Sequence, residues 1–380
     1  MSEPDALTDT VVATTGGAQP FRISYRNIVL SVLLSLAVVV IVGAITYEPE
    51  AIRLIWESFH PWLMGLAAIS VVARILVGGW RLQYVSSGHL SFSSAVRGQL
   101  AWDFFSIVTP SAIGGGPLAA VYLARDGKVQ VGEATALLFF AMLLDQFFFA
   151  ATVPLLVIAT FFIPVFPPAI GTIGTTTFLL YFVGLLGWVT VFAYVTFFRP
   201  QVLEKWLNKI FRIRWLRKYQ DRVASEMYSM QTRAKLLRSQ PARFFVNGSL
   251  QTLAAWAIRY FLVIFIIWSV YDDLDVLLAL VRTAAMTLGS LILPTPGGSG
   301  GVEGLYALFL GPPVMPKYMV APTLLVWRIL GYYVFIALGG YLTMHRVRAE
   351  IRARKQSSIR LETSPVSTSQ GAVEGPRPPA

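Results

Sequence analysis

The chain has 380 residues, 55% hydrophobic and 13% charged, with no cysteine and a formal net charge of +11. The missing cysteines exclude disulfides, thiolate metal sites and cysteine nucleophiles. His60, His89 and His345 all lie outside the central apolar runs, so histidine chemistry inside those runs has no material. The basic excess does not call for nucleic acid, because it gathers in two stretches. Residues 199–243 carry twelve Lys/Arg against three Asp/Glu, and residues 345–360 carry six against one. Cytoplasmic loops of membrane proteins collect Lys and Arg in this way.

Taken in chain order, residues 1–24 form a polar tail that is expected to be disordered. The apolar run Ile28–Thr46 starts too late and runs too long for a secretory signal, so it stays as a membrane anchor. Further runs long enough to span a bilayer lie at 61–80, 134–163, 173–198, 244–270 and 320–343. Arg22 and Arg26 put the N-terminus in the cytoplasm, and the acidic loop 47–60 then falls outside. The basic segment 199–243 falls inside, "YDDLD" (271–275) outside, and the basic start of the C-terminal tail, 346–380, inside. The expectation is an all-α polytopic protein of the cell (inner) membrane, with six full spans and both termini cytoplasmic.

Two segments are left over, 92–124 and 276–312. Each has an apolar arm, a Pro/Gly break and a second arm (118–124 or 302–310) too short to span. We read them as re-entrant hairpins entering from opposite faces, with eight full spans as the alternative. The breaks resemble each other. "PSAIGGGPLAAVY" (110–122) aligns without gaps on "PTPGGSGGVEGLY" (294–306), matching Pro110 with Pro294, Gly114 with Gly298, Gly116 with Gly300 and Tyr122 with Tyr306. With one gap, "VR" at 96–97 matches "VR" at 281–282. Repeat one then covers about 61–163 and repeat two about 244–343. Paired broken segments in inverted halves point to a midplane substrate site in transporters.

Irregular backbone survives at membrane depth only when buried in protein or lining a wet cavity. Pro294 and Pro296 stop the incoming helix, and a short helix is expected near Gly301, with a counterpart near Gly116–Pro117. Their free N–H groups favour an anion; the competing reading is that the glycines only allow close helix packing. Ionisable residues within the apolar segments are functional candidates by default. They are Arg74, Arg97, Asp103, Asp145, Arg259, Arg282, Glu303 and Arg328. The bias to arginine suits phosphate, which the guanidinium fork binds through two parallel hydrogen bonds. Arg97 and Arg282, equivalent in the two copies, are read as substrate contacts together with Arg259 and Arg328. Asp145 and Arg328 are expected to pair across the pseudo-twofold. Arg74 reads as a structural or snorkelling side chain. Glu303 caps the short helix, couples protons or counters an arginine.

Enzyme signatures fail. "GGSG" (297–300) matches the G-x-S-G of intramembrane serine proteases, but the histidine that follows it, His345, lies past the last span. The glycine clusters lack the Gly-Lys-Ser/Thr of a P-loop, and no metal-binding or cofactor motif occurs.

"PTPGGSGGVEGLY", the upstream "VR", "PSAIGGGPLAAVY" and the helix carrying Asp145 together resemble the transmembrane region of lysylphosphatidylglycerol synthases, the flippase-like domain family. The resemblance covers about residues 25–345, and Pro296, Gly297, Gly298, Gly300 and Glu303 carry its most typical segment. It implies a role in moving or handling a lipid across the bilayer, such as an aminoacylated phospholipid or a polyprenyl-linked sugar. The expected function is a flippase-like transporter of a phospholipid or polyprenyl-linked headgroup. Members that aminoacylate lipids carry a soluble synthase domain after the membrane region. Here about 35 residues of tail follow, so synthase activity is not expected. The substrate-site expectation comprises Arg97, Arg259, Arg282, Arg328, Gly114, Gly116, Gly298, Gly300, Gly301 and Glu303. Supporting or coupling roles fall to Asp103, Asp145, Pro110, Pro294 and Pro296. The expected partners are membrane lipids with anionic or zwitterionic headgroups, without cofactor, metal or nucleic acid. Alternatives are an ion-coupled transporter of a small solute and a scaffold for an envelope-lipid biosynthesis enzyme.

Overall fold

A computed structural model describes residues 25–109, 115–198, 229, 232–293 and 295–346. The two tails, most of the basic segment, Pro110, Gly114 and Pro294 lie outside the described residues. Every regular element among the described residues is helical. In order they are α1 (Tyr25–Thr46), α2 (Ala51–Glu57), α3 (Pro61–Val85), α4 (Phe92–Val108), α5 (Gly115–Gly127) and α6 (Val131–Ala159). Then follow α7 (Gly171–Phe198), α8 (Ala242–Trp268), α9 (Val276–Ser290), α10 (Gly301–Leu310) and α11 (Lys317–Arg328). The last continues through a π-helical turn, Ile329–Tyr333, into further helix.

Among the described residues, five helices are long and apolar enough to cross a membrane: Pro61–Val85, Val131–Ala159, Pro168–Val191, Ala242–Trp268 and Lys317–Arg346. A sixth span is reached when Val32–Thr46 is taken with α2, which leaves it at an angle of 97°. The sequence had α2 as loop. Its Arg53 lies between Glu50 (3.3 Å) and Glu57 (3.7 Å), while Ile52 and Trp56 are exposed. That mixture of charge and bare apolar surface suits a helix lying in the headgroup layer. Large apolar side chains also stay exposed on the long helices, among them Ile69, Val72, Leu155, Leu180, Val183 and Leu253. Such a surface needs hydrocarbon around it.

The two leftover segments are each a pair of helices separated by a break. Their starts are fixed locally. Ser91 accepts the Ser94 N–H at the head of α4 (3.2 Å), and Asp275 accepts the Leu278 N–H at the head of α9 (3.0 Å); both are N-caps. Residues Ser24–Leu342 form one contact unit. Within it α3 packs along α8 and α4, α4 folds back on α5, α9 on α10, and α11 on α1. Gly79 is what lets α3 lie against α4, since a Cβ there would sit 2.8 Å from the Val96 Cα. Gly79→Ala is expected to cost about 1–3 kcal/mol through overpacking, read as a lowered thermal midpoint in detergent. Gly65→Ala, with open space around its position, is expected to leave the midpoint unchanged.

Candidate functional site

Polar residues recur on one face of otherwise apolar helices, and the fold turns those faces toward one another. Arg74 and Arg81 are two turns apart on α3, and Gln99, Asp103 and Ser106 follow helical spacing on α4. Asp145 and Gln146 come from α6, Trp256 and Arg259 from α8, and Arg328 and Tyr332 from α11 and its π turn. Together they line a cavity of about 390 Å³. Ser106 and Ile107 near the end of α4 border it, and so do Thr295, Gly297 and Gly298 in the break before α10.

The charges in this cavity are arranged in three groups. Arg81 is 4% exposed and binds both oxygens of Asp145, whose Oδ1 also accepts the Trp256 indole N–H at 2.9 Å. Arg328 lies 2.7 Å from Glu303, and both are buried. That contact is an ion pair without hydrogen-bond alignment, since the Arg328 Nη2 has no hydrogen-bond partner. The same Glu303 oxygen accepts the Gly300 N–H at 2.8 Å, so the carboxylate both caps α10 and neutralises an arginine. Asp103 is shared. Arg74 donates to its Oδ1 at 2.9 Å, Arg259 to the same oxygen at 3.4 Å, and Gln99 to Oδ2 at 3.3 Å. Behind the shared carboxylate, Arg259 stacks on Trp256 at 4.4 Å and Arg74 on Phe335 at 4.1 Å. These stacks hold the guanidinium planes while leaving edges free for a ligand.

Gly297 (φ +58°) turns the break tightly enough that a Cβ would meet the Tyr332 ring at 2.6 Å. Ser299 donates to or accepts from the Tyr332 hydroxyl at 2.9 Å, which ties the break to the π turn. Such turns inside α-helices often mark functional sites. Short helices begin at Gly115 and Gly301, beside the breaks.

Of the residues singled out in the sequence, Asp103, Asp145, Arg259, Arg328 and Gly298 line the cavity. Glu303 stands behind Arg328. Gly300 (φ +89°) faces Leu34, Gly301 faces Leu293, and Gly116 has open space beside it. Pro296 opens the 3₁₀ turn Pro296–Gly298. Asp145 and Arg328 do not pair with each other. Their charges are met by Arg81 and Glu303, which are closer on the packed faces.

Arg97 and Arg282 do not line the cavity either. Arg97 forks onto Asp126 (2.8 Å from Nη2), the penultimate residue of α5. Arg282 is fully buried. It donates to the Pro164 carbonyl (3.0 and 2.9 Å) and to the carbonyl of Phe309 (3.2 Å), the penultimate residue of α10. Each therefore fastens the first arm of its broken segment to the C-terminal end of the second, where a cation is favoured.

Sequence reasoning missed Arg81, Gln99 and Trp256, and gave Arg74 no part in the site. The signal was present in the heptad spacing of Arg74 and Arg81. It was hidden because the apolar run was ended at residue 80, whereas α3 continues to Val85.

The model of the family described as "Lysylphosphatidylglycerol synthase TM region" matches residues 28–339. A UPF0104 membrane protein of Archaeoglobus fulgidus is 25% identical over 322 residues, covering 81% of this chain and 94% of that protein. No solved structure matches the chain significantly.

Proposed function

The chain belongs to the lysylphosphatidylglycerol synthase transmembrane-region family, and from that premise we propose that it is a flippase-like lipid transporter of the cell membrane. It carries a phospholipid or polyprenyl-linked headgroup through the arginine-lined cavity while the acyl or prenyl chains stay in the bilayer. One observation supports this above all: Asp103 is shared between Arg74 and Arg259 inside an apolar helical bundle. A carboxylate can neutralise one guanidinium, and the second carries charge that hydrocarbon penalises. A phosphate arriving at Arg259 supplies the missing counter-charge through a bidentate hydrogen-bond pair. The volume, about 390 Å³, suits a headgroup and not a whole lipid.

In this reading the two broken segments are re-entrant hairpins of inverted halves, with both termini and the basic segment 199–243 in the cytoplasm. The matched fastening of α4 to α5 by Arg97 and of α9 to α10 by Arg282 supports that relation. So does the position of the end of α4 and of the second break beside the cavity.

The test is reconstitution into liposomes with fluorescent lipids and a membrane-impermeant quencher. The expected result is quenching of inner-leaflet label in protein-containing vesicles and none in protein-free ones. Absence of lipid translocation, with uptake of a small solute or with stoichiometric co-purification of an envelope-lipid enzyme, would replace this reading with a solute transporter or a scaffold.

A further inference from the structure

Building on the lipid reading, we infer that the cavity is matched to a single negative charge, so that its substrate is a phosphodiester monoanion and not a diphosphate or phosphomonoester. Arg74, Arg81, Arg259 and Arg328 bring four positive charges, and Asp103, Asp145 and Glu303 bring three negative ones. The sum is +1 among the described residues. The neighbouring stretches outside them, 110–114 and residue 294, hold no ionisable side chain.

The excess has an address. Arg81 with Asp145 and Arg328 with Glu303 are one-to-one charge pairs, so the surplus charge sits on Arg74 and Arg259, which share Asp103. The Nε atoms of all four arginines are buried without a hydrogen-bond partner, so the Nε atoms do not tell them apart. Arg259 holds Asp103 only at 3.4 Å. That long contact, beside the 2.9 Å one from Arg74, makes Arg259 the guanidinium least committed to Asp103 and the one an incoming anion meets. In a site of low dielectric each unit of uncompensated charge is costly. A monoanion brings the site to neutrality, a dianion overshoots to −1, and a zwitterion leaves +1 in place. The matching chemistry is a phosphodiester whose further substituents are uncharged, carried on a glycerolipid or on a polyprenol.

The experiment compares translocation of fluorescent phosphatidylglycerol, phosphatidylcholine and phosphatidic acid, and of a polyprenyl phosphosugar and its diphosphate analogue. Wild type is expected to favour each monoanion over its more highly charged or zwitterionic counterpart by about tenfold or more. The glycerolipid and polyprenyl arms identify which carrier is the substrate. Two variants shift the count in opposite directions. Gln146→Glu, at a cavity position whose side-chain oxygen has no partner, brings the sum to zero and is expected to erase the advantage over phosphatidylcholine. Asp103→Asn brings it to +2 and is expected to move preference toward phosphatidic acid or the diphosphate. Translocation in which wild type and both variants show no charge preference, or wild-type preference for the dianion, overturns the charge matching alone. No translocation of any lipid by wild type overturns both this inference and the lipid reading.

Discussion

Glu303→Ala is expected to destabilise the protein by about 3–5 kcal/mol, the cost of leaving a buried charge without its partner. Glu303 has no exposed surface and Arg328 is 4% exposed, so water cannot take over the lost interaction. The substitution also removes the acceptor for the Gly300 N–H at the head of α10, a further loss of about 0.5–2 kcal/mol by analogy with N-cap deletions. The measurement is thermal unfolding in detergent, or the yield of monodisperse protein if the loss prevents purification. Glu303→Ala with Arg328→Met is expected to recover most of the stability, because it removes the stranded charge. If the single variant melts as wild type does, the ion pair is not what holds α10 to α11.

Arg259→Gln is expected to cut anionic-lipid translocation about 10- to 100-fold, with the protein still folded. The magnitude follows from losing charge-assisted hydrogen bonds worth about 1.5–3 kcal/mol each. Folding survives because Arg74 stays on Asp103 at 2.9 Å, so no carboxylate is stranded. This contrasts with Glu303, where no second partner exists for Arg328 among the described carboxylates. Arg97→Gln is the paired control. Its guanidinium binds Asp126 away from the cavity, so the translocation rate per folded molecule is expected to stay at the wild-type value. Equal losses from both substitutions would mean that arginine acts through general stability and not through the cavity.

The parts legible in the sequence are those fixed by local chemistry. Clustered prolines and glycines interrupt a helix where single ones, such as Pro154 in α6 and Pro322 in α11, do not, so the second break and the helix start at Gly301 followed from "LPTPGGSGGVEG" alone. Long apolar runs located the main helices to within a few residues. α2 escaped because seven residues with three charges at or beside them carry no hydropathy signal. The site charges were visible as arginines and carboxylates in greasy surroundings, but not their pairing. Asp145 meets Arg81, 64 residues away, and Arg328 meets Glu303 from the next helix, beyond the connection 311–316. Both contacts are set by helix crossing and not by spacing. That Arg97 and Arg282 each stand on the first arm of a broken segment was readable from the two "VR" pairs. Their shared task was not, because Arg282 binds backbone carbonyls, which every residue possesses.

The central claim, that the cavity holds an anionic headgroup at Arg259, is tested most directly by native mass spectrometry of the intact protein released from mild detergent. The account predicts that wild type retains one anionic phospholipid or polyprenyl phosphate per chain, and that Arg259→Gln loses it while Arg97→Gln keeps it. Retention of the same lipid by Arg259→Gln, or wild type carrying only zwitterionic lipid, would contradict it.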